Sequence, residues 1–160
     1  MSKSKILWSV CLCAVLVLAI CVSAGAQIKY TTKLSSGPFL VAPTAQSVDW
    51  AVLNNDTVSV DLRVTVYKYG IGADKEEVSP GSLEINLLPN RATHNANSVG
   101  TVFVAGYYYE VVIEATTDKI CPNVNQWSSN GASDFIPGTL IPSGDFVSIF
   151  DKKAAKQAPR

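Results

Sequence analysis

The sequence predicts an all-β domain, a sandwich of about seven to nine antiparallel strands, preceded by an N-terminal signal helix. Three observations lead there. The hydrophobic pattern after residue 26 has a period of two. Turn residues break that pattern at short intervals. No stretch beyond residue 26 repeats apolar residues at helical spacing.

The chain begins Met-Ser-Lys-Ser-Lys, continues with a 17-residue apolar run from Ile6 to Val22, and then reads Ser23-Ala24-Gly25-Ala26. A short basic start, an apolar stretch and small residues at alternate positions make the pattern of a secretory signal. Ala24 and Ala26 stand where a signal peptidase reads, so cleavage leaves Gln27 as the new N-terminus. The run also reaches the lower end of membrane-span lengths, about 17–25 residues, so an uncleaved anchor is the alternative. Lipidation at Cys21 is disfavoured, because bulky Ile20 precedes it. Every one of these readings puts the domain in a secreted or extracytoplasmic location, periplasmic or on the cell surface. The expected organisation is a signal over 1–26, a β-sandwich over 27–151 and a basic tail over 152–160.

Within the domain, 28–34 and 38–41 read as opening strands. Val48, Trp50 and Val52 alternate with polar neighbours, and Asn54-Asn55-Asp56 then supplies turn chemistry. Val58, Val60, Leu62, Val64 and Val66 alternate with Ser59, Asp61, Arg63 and Thr65, which is a half-buried strand with one wet face. The two runs together predict a β-hairpin. Leu83, Ile85 and Leu87 form another strand after the Pro80-Gly81 turn. Residues 89–98 read as a polar loop and 99–105 as a short strand. Tyr107 to Ala115 reads as a long strand with Glu110 and Glu114 on its wet face. Residues 119–144, rich in Pro, Gly, Ser and Asn, read as a long loop with short strands near 124–127 and 139–141. Residues 146–150 close the domain.

The run Tyr109-Glu110-Val111-Val112-Ile113-Glu114-Ala115, the later Gln126-Trp127-Ser128-Ser129 and the pair Leu88-Pro89 resemble the late strands of a fibronectin type III or related immunoglobulin-like module. The spacing from Pro89 to Tyr109 exceeds that module's. The resemblance therefore implies an immunoglobulin-like architecture and assigns no family.

Composition limits function. The 13 basic and 13 acidic residues balance; removing residues 1–26 takes Lys3 and Lys5 and no acid, leaving 11 against 13, a net charge of −2. No cluster of positive charge is available for nucleic acid. A membrane is met only through residues 6–22, if they are retained. Cys11, Cys13 and Cys21 lie in the apolar run, so Cys121 alone remains, either a buried thiol or the donor of an intermolecular bridge.

Catalytic patterns are weak. His94 is the single histidine, and nothing local to it or to Cys121 resembles a nucleophile motif. One His and one Cys do not make a zinc site, no carboxylate cluster has calcium-loop spacing, and Gly70-Ile71-Gly72 lacks the rest of a dinucleotide fingerprint. No cofactor is expected. Glu110 and Glu114, four apart on one strand face, are the pair an exported hydrolase would use. Asn55-Asp56-Thr57 is an acceptor for N-glycosylation where the host has that pathway.

Tyrosine and tryptophan are the candidate binding residues, since each offers a flat apolar body with a polar handle. Three consecutive tyrosines on a strand alternate faces, so Tyr108 should point away from Tyr107 and Tyr109. Tyr69, Tyr108 and Trp127 are the positions expected to meet a protein or glycan partner, and Trp50 belongs to the core. The sequence favours a non-enzymatic module for binding or self-assembly. An exported hydrolase and a membrane-anchored accessory subunit are the alternatives.

Overall fold

The structure is a computed structural model that describes residues 27–149 except 71, 73, 79–81 and 129–133. The signal segment with Ala24 and Ala26, the Pro80-Gly81 turn and the tail at 152–160 lie outside the described residues. Ten strands follow in order: β1 (Thr32–Ser35), β2 (Phe39–Leu40), β3 (Ser47–Asn54), β4 (Val60–Tyr69), β5 (Lys75–Glu77), β6 (Leu83–Leu87), β7 (Ala92–Ser98), β8 (Tyr108–Ala115), β9 (Ile120–Trp127) and β10 (Val147–Ser148). A single 3-10 turn at Ser143–Asp145 is the only helical element among the described residues. The larger sheet runs β10-β1-β8-β4-β5, with β2 also on β8 and β6 also on β4; the smaller runs β7-β3-β9. Every strand pair in both is antiparallel. The fold is all-β with antiparallel sheets, as the period-two pattern predicts.

The two sheets share one core. Val60, Leu62, Val64 and Val66 of β4 and Tyr109, Val111, Ile113 and Ala115 of β8 meet Val48, Trp50 and Val52 of β3 and Val124 of β9. Trp50 is buried, as expected. Phe103 closes one end, its ring centroid 4.9 Å from Tyr109 and 6.4 Å from Phe39.

Four elements differ from expectation. β3 and β4 do not form a hairpin; they lie in different sheets. The reason is Asn54, which is fully buried. Its Nδ2 donates to the carbonyls of Val58, Leu87 and Leu88 at 2.9–3.1 Å, and its Oδ1 accepts from the Asp56 N–H at 2.8 Å. One amide thus ties the corner to β6 and turns the chain across the sandwich. Residues 92–98 form strand β7 where a loop was expected. Ala-Thr-His-Asn-Ala-Asn-Ser carries no apolar alternation, and its pairing comes from the β3 backbone along the whole register.

Residues 99–105 form no strand. Gly100 sits at φ 99°, a conformation L side chains rarely adopt, and its N–H donates to the Phe103 carbonyl at 2.6 Å, folding the segment so that Phe103 plugs the core. Finally, 120–127 is a full strand inside the expected loop. Pro122 is tolerated there because Val52 exchanges its backbone bonds with β7. The Val52–Pro122 pair is then a non-bonded one, and the missing N–H points away from β3.

Candidate functional site

On the outer face of the larger sheet, the residues alternating with the core row of β8 are Tyr108, Glu110, Val112 and Glu114. Glu110 does not stand in water, as its position on that face suggested; its side chain is only 7% exposed. Three neighbouring strands supply donors. Ser35 Oγ of β1 donates to Oε1, and Tyr69 Oη of β4 donates to Oε2. Lys75 Nζ of β5 reaches Oε2 at 2.6 Å while lying 4.0 Å above the Tyr67 ring. Burial pushes the Glu110 carboxyl up, but the hydrogen bonds from Lys75, Ser35 and Tyr69 outweigh it and leave the group below its ordinary range. Burial, then the hydrogen bond to Glu110 and its charge, push the Tyr69 hydroxyl up to about 12. The arrangement holds a permanent carboxylate with both oxygens occupied and so joins β1, β4, β5 and β8.

Glu114 is likewise engaged, 3.3 Å from Lys33 and 3.6 Å from Arg63, and Arg63 also meets Glu84 at 2.8 Å. Neither acid is an isolated carboxyl facing a cleft. His94 is exposed on β7, with Nδ1 3.7 Å from Asp49 Oδ1. Burial raises the Asp49 carboxyl and His94 partly offsets that. Cys121 lies on β9, with β3 between it and His94, at a separation of about 10 Å or more from two strand spacings. Its Sγ donates to Ser143 Oγ at 3.2 Å. Among the described residues no three or more His, Cys, Asp or Glu side chains cluster to hold a metal, and no helix is long and apolar enough to cross a membrane.

Of the expected binding residues, the structure brings two together. Tyr108 is 50% exposed and sits between Leu40 of β2 and Tyr69 of β4 across the sheet. Tyr107, expected to point inward, is 45% exposed; it precedes the strand after Gly106, whose φ of 81° turns the chain outward. Lys68 Nζ lies 4.1 Å over the Tyr107 ring. Only Tyr109 is buried, its Oη accepting the Val104 N–H at 2.8 Å. Leu40, exposed beside Tyr108 on the outer face, completes an apolar patch with it. The sequence reading missed it, although the alternation of Phe39 inward implies Leu40 outward. Trp127 is not part of the patch: it is half-buried on the outer face of the smaller sheet, edge-on to Phe135 at 5.7 Å. Gln27, at the expected cleavage site, is exposed.

The chain therefore presents an antiparallel β-sandwich with an aromatic patch and an internally neutralised acidic row. No protein-family model matches it, and no curated protein matches it. Among solved structures, it is similar to Thermotoga maritima 1070, at 9% identity over 76% of this chain and 94% of that one, with a TM-score of 0.46. It is also similar to the Anabaena sensory rhodopsin transducer, at 17% identity over 63% of this chain and 84% of that one, with a TM-score of 0.40. Likeness at this level adds nothing to the fold or the function, and both rest on the geometry above.

Proposed function

We propose that the chain is an exported, non-enzymatic β-sandwich module that binds a protein or glycan through the outer-face patch formed by Leu40 and Tyr108, with Tyr69 at its margin. The observation that carries this reading is the exposure of Tyr108 and Leu40 side by side on paired strands β8 and β2. Rigid, half-exposed tyrosines supply contact area at low entropic cost. A hydrolase built on Glu110 and Glu114 gains no support, because a carboxylate held below its ordinary range with both oxygens occupied has no proton to give. The export signal at residues 1–26 supports a secreted or cell-surface location. Connections pass between the sheets at β2–β3, β3–β4, β6–β7, β7–β8, β8–β9 and β9–β10, and this repeated crossing supports an immunoglobulin-like arrangement.

The test is capture from extracellular and envelope fractions, with candidate glycans arrayed in parallel, using wild type, Tyr108→Ala and Trp127→Ala. The expected result is a ligand lost with Tyr108→Ala and kept with Trp127→Ala. Turnover of an extracellular substrate that Glu110→Gln abolishes would refute the reading. Mass spectrometry of the exported product separates a cleaved module, starting at Gln27, from an anchored subunit that retains residues 6–22.

A further inference from the structure

The two sheets differ in width, and the difference leaves a strand position open. The smaller sheet ends at β7, which pairs with β3 alone. The N–H of Asn54 donates to the Arg91 carbonyl, and that of Val99 donates to the Gln46 carbonyl. These bonds bracket the β3–β7 ladder and fix its alternation: residues 93, 95 and 97 bond to β3, while Ala92, His94, Ala96 and Ser98 turn their backbone groups outward. The Ser98 carbonyl accepts from Thr101 Oγ1 at 2.6 Å. No described strand takes the others. The opposite edge is guarded, since Val124 of β9 exchanges two backbone hydrogen bonds with Ile141 at 2.9 and 3.1 Å.

Beside this open edge the sheets enclose a cleft of about 180 Å³, lined by Trp50, Val64, Val66, Val78, Leu83 and Val102, with Ser82 and the amides of Asn95 and Asn97 at its wall. The inward row of β6 shows where it opens: Leu87 is buried, Ile85 is half-buried and Leu83 is 43% exposed. Leu83 faces inward by register, opposite Val64, yet it stays exposed at the mouth of the cleft that Asn95 and Asn97 of β7 also line. Among the described residues no charged side chain lines the cleft, and none of Ala92–Ser98 is Lys, Arg, Asp or Glu. Natural edge strands are ordinarily blunted by such charges, by proline or by a covering segment.

We infer that β7 and the adjoining cleft receive an extended, uncharged peptide segment of a partner protein, added as a fourth strand of the smaller sheet, with apolar side chains at alternate positions entering beneath Leu83. Backbone pairing supplies affinity and the cleft selects the alternate side chains. A second copy of β7 fits less well, because its inward row is Thr93, Asn95 and Asn97 against an apolar wall. The inference shares with the proposed function the claim that the domain binds, but it uses a different surface, so the two can fail separately.

The experiment titrates the purified protein with a fluorescein-labelled, end-capped peptide of alternating Thr and Val flanked by Lys, and with versions carrying Leu or Phe in place of Val. Binding is read by anisotropy and by amide shifts in ¹⁵N-labelled protein. The expected result is saturable binding that shifts the Ala92–Ser98 amides, falls at least tenfold in Ala96→Pro and in Leu83→Glu, and is unchanged by Tyr108→Ala. Ala96→Pro removes an outward N–H and no bond to β3; Leu83→Glu changes an exposed side chain, so one variant remains informative if the other unfolds. The inference is overturned if no peptide binds up to about 1 mM, or if binding survives both variants. It is also overturned if the protein dimerises through the same amides without peptide.

Discussion

Replacing Glu110 by Gln keeps the shape of the side chain and removes its charge. In the native fold that charge accepts hydrogen bonds from Ser35, Tyr69 and Lys75 at a site 7% exposed. A hydrogen bond to a charged group contributes about 1.5–3 kcal/mol, and losing one partner of a buried pair costs more. The glutamine oxygen can take the place of Oε2 and accept from Lys75 and Tyr69, with its NH₂ turned to the Ser35 hydroxyl, so what is lost is chiefly the charge that faces Lys75. Lys75 is about one-third exposed, so water recovers part of its solvation. The net expectation is a loss of about 2 kcal/mol at pH 7, read by urea unfolding with tryptophan fluorescence, for which buried Trp50 is a reporter.

The pH dependence makes that test sharper. The folded carboxyl titrates below its ordinary value, so the stability due to its charge is fully present above the unfolded-state value, about 4.3. It is lost as pH falls through the lower folded value. The gap between wild type and Glu110→Gln should therefore close on acidification below that point. A gap that is absent at pH 7, or that stays constant on acidification, would refute the reasoning.

Three further outcomes follow from the same structure. Tyr69, hydrogen-bonded to Glu110, should titrate well above the ordinary tyrosine range. The stability tied to its raised value is fully present below about 10 and is lost as pH rises through about 12, so Tyr69→Phe should flatten the alkaline limb seen by absorbance and circular dichroism. Asn54→Ala leaves three backbone carbonyls at the sheet crossing without their donor and should cost about 2–4 kcal/mol in chemical denaturation. Phe103→Ala empties a fully buried site between Phe39 and Tyr109 and should cost about 3–5 kcal/mol, with a matching fall in thermal midpoint.

The sequence reveals strands where one face is dry and the other wet. β4 and β8 are legible for that reason, with Val60 to Val66 and Tyr109 to Ala115 alternating against polar neighbours. β7 is invisible because its inward residues are Thr93, Asn95 and Asn97, at the border of an open cleft where burial is incomplete. β9 is masked by Pro122 and its asparagines, although Ile120, Val124 and Gln126 face inward. The false hairpin arises because local turn chemistry at Asn54 does not say to which sheet the next strand returns; the buried amide and its distant partners decide that. At the surface, the outward position of Tyr108 followed from alternation alone. Burial of Glu110 did not, because its donors come from β1, β4 and β5, up to 75 residues away along the chain.

The pairing order also governs when the domain can form during synthesis. β1 waits for β8, and β3 waits for β7 and β9, while β4 alone finds close partners in β5 and β6. A chain emerging from its N-terminus thus has little to pair with until its last third appears, and closing such long loops is slow. By this pairing order only β4, β5 and β6 can close early. Late closure of the rest would suit the export proposed above, in which the chain threads a narrow channel before acquiring its shape.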